Sequence, residues 1–266
     1  MQLDEPGSMG GQKMVDLTLA TQDHVDILIP DDISLLGGQK IRIGLAPYAA
    51  GINAGSYASL MNGGVAAPDN CVYERSSDSF QDSDAYPSGA AVLKTKLDLV
   101  GANKCSSATL LPMTDDKTAL KASVDSYNTG GTTAGHLGTS FAWYLLSPEW
   151  ASIWPTASQP TAYNSGTATK VAILMTDGLY NTVGGKMSGA NEVKSADFAV
   201  DSCTEMKSKG IIVYTVGFKL GAPAAIQTLK DCASHIEKFY EAKDGDALRI
   251  AFQAIAQDIA TLRLTE

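Results

Sequence analysis

The chain has 266 residues, 44% hydrophobic and 18% charged, which is enough apolar material for a sizeable core in one large or two small α/β domains. Twenty basic residues against 29 acidic ones leave a formal net charge of −9, which argues against nucleic acid or an anionic membrane surface as partner. No apolar run approaches the roughly 18 residues that a bilayer span needs, and MQLDEPGSMGG at the start has neither the basic nor the apolar region of a secretion signal.

In chain order, Met1-Gln2-Leu3 offers no more than a stub of a strand before the polar turn Asp4-Glu5-Pro6-Gly7-Ser8. A helix is expected from Gln12 to Ile29, because Met14, Leu17, Ala20, His24, Val25 and Leu28 recur at three- and four-residue steps; Pro30 ends it. Lys40 to Ala46 alternates as a strand that stops near Pro47. From Gly51 to about Ser107 no period holds, and the abundance of Gly, Ser, Asn, Asp and Pro predicts an inserted, loop-rich region. Its Asp78, Asp82 and Asp84 lack calcium-loop spacing and read as a solvated acidic surface.

Ala108 to Met113 is a short strand that Pro112 marks as peripheral. A helix capped by Thr114 or Asp115 then runs to about Tyr127, and the small-residue loop 128–136 opens another carrying Leu137, Phe141, Tyr144 and Leu145. Ser147 to Thr161 is a loop whose Trp150 and Trp154 either pack on the domain or form a contact patch. The run Val171 to Met175 is unbroken and apolar and halts at Thr176-Asp177-Gly178, the mark of a strand buried on both faces. Beyond it come a helix from Asn191 to Lys209, a strand from Ile211 to Phe218, a helix from Pro223 to Ser234, a short strand from Lys238 to Glu241 and a last helix from Asp244 to Leu262. Strands alternating with helices predict an α/β fold with a doubly wound, mostly parallel sheet flanked by helices. Without repeat or second core, 1–266 is expected to be a single domain with 51–107 inserted in it.

Cys71, Cys105, Cys203 and Cys232 form no CxxC motif. Of three pairings, Cys71–Cys105 and Cys203–Cys232 close local loops and are expected, which implies an oxidising compartment; the alternative is four reduced thiols. An extracytoplasmic chain without its own signal suggests that an export or anchoring segment has been removed.

Three loops are expected on one rim of the sheet: Asp4-x-x-x-Ser8, Thr132-Thr133 and Asp177. Ligands of open α/β sheets bind beyond the carboxyl ends of the strands. Hydroxyls and carboxylates without His or Cys suit a hard ion such as Mg²⁺, Mn²⁺ or Ca²⁺. With few charged protein ligands, the ion would take a further carboxylate from a partner.

These loops resemble the metal-ion-dependent adhesion site (MIDAS) of von Willebrand factor A domains. GSMGGQKM, CVYER, GTTAGHLGTSFAWYLLSPEW, VAILMTDGLYNT and AFQAIAQDIATLRLT further resemble TadG-type proteins, the TadE/TadG-family components of bacterial tight-adherence (Flp) pili. That resemblance runs from Asp4 to Thr265 and implies a cell-surface, periplasmic or pilus location and partners among pilins, other pilus subunits or surfaces. It also implies metal ligation by Ser8 and Thr133 (Thr132 as the alternative) and water-mediated roles for Asp4 and Asp177. Pro6 stands where the family has a hydroxyl, so water must replace one ligand there or metal affinity falls. In this family a membrane is engaged only through a helix that this sequence does not contain. The alternatives to an adhesion module are a structural pilus-assembly component with a degenerate metal site and, more remotely, a hydrolase with His136 as base. For the hydrolase the sequence places no Ser or Cys nucleophile and has no G-x-S-x-G elbow; a non-enzymatic module is therefore expected.

Overall fold

The computed structural model describes residues 1–262 apart from positions 39, 66, 68, 97, 100 and 104. The last residues of the TadG-like stretch, 263–265, lie outside the described residues. In order the elements are β1 (Gln2–Asp4), α1 (Gln12–Leu28), β2 (Ile43–Tyr48), β3 (Ile52–Asn53), α2 (Ala58–Met61), β4 (Cys71–Arg75), β5 (Leu93–Thr95), β6 (Leu111–Thr114) and α3 (Lys117–Asp125). They continue with α4 (Gly135–Tyr144), β7 (Val171–Thr176), β8 (Thr182–Val183), β9 (Lys186–Met187), α5 (Gly189–Ser208), β10 (Ile212–Phe218), α6 (Pro223–Cys232), β11 (Phe239–Ala242) and α7 (Gly245–Leu262).

The main sheet has the order β11-β10-β7-β1-β2-β6, parallel throughout except for the antiparallel edge strand β6. Alternation along β7 explains its unbroken apolar run. Ile173 and Met175 join the core with α1 and α7, whereas Ala172 and Leu174 join the core with α4 and α5. A strand covered on both faces has no polar side to show.

β1 is only three residues long, yet it lies at the middle of the sheet, between β7 and β2. Gln2, opposite Leu174, is fully buried, and its side-chain amide extends the ladder: Nε2 donates to the Met175 carbonyl (3.0 Å) and Oε1 accepts from the Met175 N–H (3.1 Å). β2 runs through Pro47 to Tyr48 rather than stopping at Ala46. Ala46 N–H and the Tyr48 carbonyl both bond toward β1, so the nitrogen of Pro47 points to the other side, where pairing with β6 has ended at Leu45. No ladder bond is lost.

Residues 51–107 carry more regular structure than their composition suggests: β3, β4 and β5 form an antiparallel sheet. Ile52, Val72 and Leu93 from it pack with Tyr48, Phe141 and Trp150. Trp150 and Trp154 are both buried, so they are packing residues; Trp150 stacks on Tyr144 with centroids 3.9 Å apart, and the buried Arg75 donates from Nε to Tyr144 Oη (2.9 Å). Asp84 departs from the solvated surface expected of it. It is buried and accepts from Ser147 Oγ (2.6 Å) and Tyr163 Oη (2.5 Å), while Asp78 stays at the surface opposite Lys194. Disulfides join Cys71 to Cys105 and Cys203 to Cys232, the latter tying α5 to α6. Among the described residues no helix is long and apolar enough to cross a membrane.

Candidate metal-binding site

β1 and β7 are neighbours and parallel, so both deliver their last residues to one rim: Asp4 from β1, Thr176 and then Asp177 from β7. The two turns are locked together. Thr176 Oγ1 (2.8 Å) and the Asp177 N–H (3.1 Å) donate to Asp4 Oδ2; Ser8 Oγ donates to Asp177 Oδ1 (2.6 Å) and Lys13 Nζ to Asp177 Oδ2 (2.6 Å). The loop before α4 joins them through its backbone. Gly130 N–H donates to the Glu5 carbonyl (2.9 Å) and Gly7 N–H to that of Gly131 (3.4 Å). The Thr133 carbonyl accepts from the N–H groups of Asn181 (2.9 Å) and Thr182 (3.2 Å), and its own N–H donates to Asn181 Oδ1 (3.1 Å). The loops of Asp4, Ser8, Thr133 and Asp177 thus meet at one edge. Thr132 is the more exposed of the two threonines and accepts instead from Asn103 Nδ2 (3.4 Å).

Two glycines let α4 approach so closely. A Cβ at Gly135 would lie 1.9 Å from the Tyr180 ring, and one at Gly138 would lie 2.7 Å from Gln2 and 2.8 Å from Tyr48. That is the packing reason for the spacing in GTTAGHLG, and every residue of this helix is buried.

The site is polar at depth and opens at Ser8, which is exposed, whereas Asp4, Thr176 and Asp177 are buried. Burial first, and then the charge of Asp177, raises the Asp4 pKa well above the carboxylate range. Asp4 Oδ1 and the buried hydroxyls of Tyr48 and Tyr180 make no well-formed hydrogen bonds, although Tyr48 lies near enough to Asp4 to offset part of its upward pKa shift; the pKa values of both tyrosines are raised by burial and then by the Asp4 charge. Next to it Glu5, also buried, accepts from Ser106 Oγ; its Oε1 is unpartnered and burial pushes its pKa up to about 7.

This donor set fits a hard divalent ion. Ser8 donates its hydrogen bond to Asp177 and keeps its lone pairs for ligation, and Asp4 Oδ1 is a dry acceptor with no positive partner and only the nearby Tyr48 hydroxyl as a donor, out of good hydrogen-bond geometry. Against full coordination stand Pro6, which brings no side-chain oxygen, and Lys13, whose ammonium already sits on Asp177. Among the described residues no group of three or more His, Cys, Asp or Glu side chains is placed to hold a metal, so hydroxyls must supply part of the shell. Lys13, Thr176 and Glu5 are the residues that sequence reasoning missed. Lys13 had one readable signal: a lysine in the first turn of α1 opposes the positive end of the helix dipole.

A second polar cluster corrects the reading that no serine is placed for His136. Ser195 Oγ lies 2.7 Å from His136 Nδ1, and Glu74 Oε1 lies 3.0 Å from Nε2. All three side chains are buried, with exposures of 0% for Ser195, 1% for His136 and 3% for Glu74, and Phe198 covers the imidazole with centroids 5.8 Å apart. Burial acts to raise the Glu74 pKa, but hydrogen bonding and charge from His136 hold it below its ordinary value. The arrangement ties β4 to α4 and α5.

The sheet order and the helices on both faces give an α/β fold of the kind seen in a solved von Willebrand factor domain. The chain is similar to the vWF domain of the type V pilus tip protein Mfa5 from Porphyromonas gingivalis, with a TM-score of 0.57 and 15% identity over 96% of this chain and 92% of that one. It is also similar to the pilus adhesin SpaC from Lactobacillus rhamnosus GG (TM-score 0.56, 12% identity, 97% of this chain), of which it spans 30%, and to the minor pilin PilB from Streptococcus sanguinis (0.53, 14%, 97%), of which it spans 59%. At these identities the likeness is one of fold. No protein-family profile matches the sequence, and no curated protein matches it either.

Proposed function

We propose that this chain is an extracytoplasmic adhesion or binding module of a bacterial pilus, of the TadG-like, tight-adherence (Flp) type. It recognises a partner through a hard divalent cation, Mg²⁺ or alternatively Mn²⁺ or Ca²⁺. Ser8 and Thr133 ligate the ion; Asp4 and Asp177 hold its waters. The observation that carries this reading is the meeting of three loops at one rim beside a buried carboxylate, Asp4, whose Oδ1 makes no well-formed hydrogen bond. When bound, the ion supplies an electrophilic docking point for a carboxylate of a pilin, another pilus subunit or a surface. The chain's own residues orient it: Thr176 and the Asp177 N–H fix one oxygen of Asp4, leaving the other without a well-formed hydrogen bond, and the Ser8–Asp177 bond sets the direction of the Ser8 lone pairs. Further support comes from the pilus adhesin, tip protein and minor pilin that share the fold, and from two disulfides, which suit an oxidising compartment. The reversal of strand order between β1 and β7 supports a doubly wound sheet; we read 1–266 as one such domain with 51–107 inserted. Calorimetric titration with Mn²⁺ tests the reading: heat in the wild type, lost in Ser8→Ala and in Asp177→Ala, is expected.

Pro6 and the Lys13–Asp177 ion pair favour one other reading, a structural pilus-assembly component whose metal site has degenerated. No heat and no thermal shift with Mg²⁺, Mn²⁺ or Ca²⁺ would establish that alternative.

A further inference from the structure

Lys13 sits in the first turn of α1, where a cation meets the positive end of the helix dipole and has no local reason to be. It nevertheless reaches across to Asp177 Oδ2 at 2.6 Å, with its own side chain 25% exposed and that of Asp177 fully buried. Ser8 takes the other oxygen, so both acceptors of Asp177 are occupied within the chain. An ion whose waters are to be held by Asp177 therefore has to contend with an ammonium that is already there.

We propose that Lys13 is a built-in counter-cation that competes with the divalent ion for Asp177 and so sets the affinity and charge selectivity of the site. Without metal, the ammonium neutralises one of two adjacent carboxylates, Asp4 and Asp177. Metal entry requires it to withdraw along its part-exposed stem toward solvent. A monovalent ion gains nothing by this exchange, since one unit charge replaces another at Asp177. A divalent ion brings a second charge, and Asp4 Oδ1 is the acceptor left to receive it. The site thereby selects 2+ over 1+ ions and resists filling at low metal concentration. This inference rests on the metal-site reading given above.

The test uses the wild type, Lys13→Met and Lys13→Arg, each titrated calorimetrically with MnCl₂ and with NaCl and each melted with and without Mn²⁺. Lys13→Met is expected to bind Mn²⁺ about tenfold more tightly, which corresponds to ~1.4 kcal/mol, while Lys13→Arg stays near the wild type. Lys13→Met is also expected to melt below the wild type without metal, and the gap should close as Mn²⁺ saturates. Equal or weaker Mn²⁺ binding by Lys13→Met, with the wild type still binding, overturns the competition and leaves the metal site standing. No Mn²⁺ binding by the wild type or either variant overturns both.

Discussion

Two acidic side chains, Glu74 and Asp4, are equally dry, 3% and 0% exposed, and they titrate in opposite directions. Desolvation is the first influence on each and raises both. Glu74 meets an imidazole whose other nitrogen is anchored by Ser195, and that partner outweighs burial. Asp4 meets the Thr176 hydroxyl, one N–H, the nearby Tyr48 hydroxyl and a second carboxylate, so burial and like charge win. Each cluster borders α4 and each leaves one carboxylate oxygen without a hydrogen bond, Glu74 Oε2 and Asp4 Oδ1; the difference is that Glu74 has an imidazole beside it and Asp4 a second carboxylate. A buried acid kept ionised by a partner of its own fold serves the scaffold; one whose neighbour is another carboxylate is the better place for an outside cation.

The largest expected effect breaks the Glu74 cluster. His136→Leu leaves Glu74 buried and ionised without its partner, and urea denaturation should show a loss of ~3–5 kcal/mol; a loss under ~1 kcal/mol would mean that His136 does not satisfy Glu74. A second test uses pH, because the two sides carry opposite signs. Glu5, with a folded pKa of about 7 against 4.5 for the free side chain, favours the unfolded state once ionised, so its share of stability is present at low pH and is lost as pH rises from 4.5 through about 7. Glu5→Gln should flatten the stability profile in that window, an effect of up to ~3 kcal/mol. Glu74, lowered, contributes above its unfolded pKa of 4.5 and loses that contribution as pH falls through its folded value. An unchanged profile in Glu5→Gln would remove Glu5 from the account. The smallest effect discriminates the two threonines: Thr132→Val should leave Mn²⁺ affinity within about twofold and stability within ~0.5 kcal/mol, whereas Thr133→Val should abolish the binding heat. Equal effects from both would contradict the assignment.

Much of the scaffold was legible because its signals are local. The apolar run of β7 shows double-sided burial directly, and α1 shows its buried face through six residues at helical steps. β1 was harder to read because its middle position depends on Gln2, a polar residue whose amide completes a ladder with a strand 173 positions away. The 51–107 region hid its sheet for a different reason. Its strands are two to five residues long, and β4 is buried at every position, so no period of two can emerge. At the site, carboxylates and hydroxyls could be named from their turns and their resemblance to a known pattern. Glu74 and Ser195 could not, and Lys13 showed only its odd place at a helix start, since each acquires its role from a partner 59 to 164 residues distant.

The central claim, that this rim is built around a missing positive charge, meets its most direct measurement in the anomalous scattering of a crystal soaked in Mn²⁺. The account expects one strong peak against Ser8 Oγ and Thr133 Oγ1, with Lys13 withdrawn from Asp177. No peak at that rim, with the Lys13–Asp177 ion pair intact at saturating Mn²⁺, would contradict it.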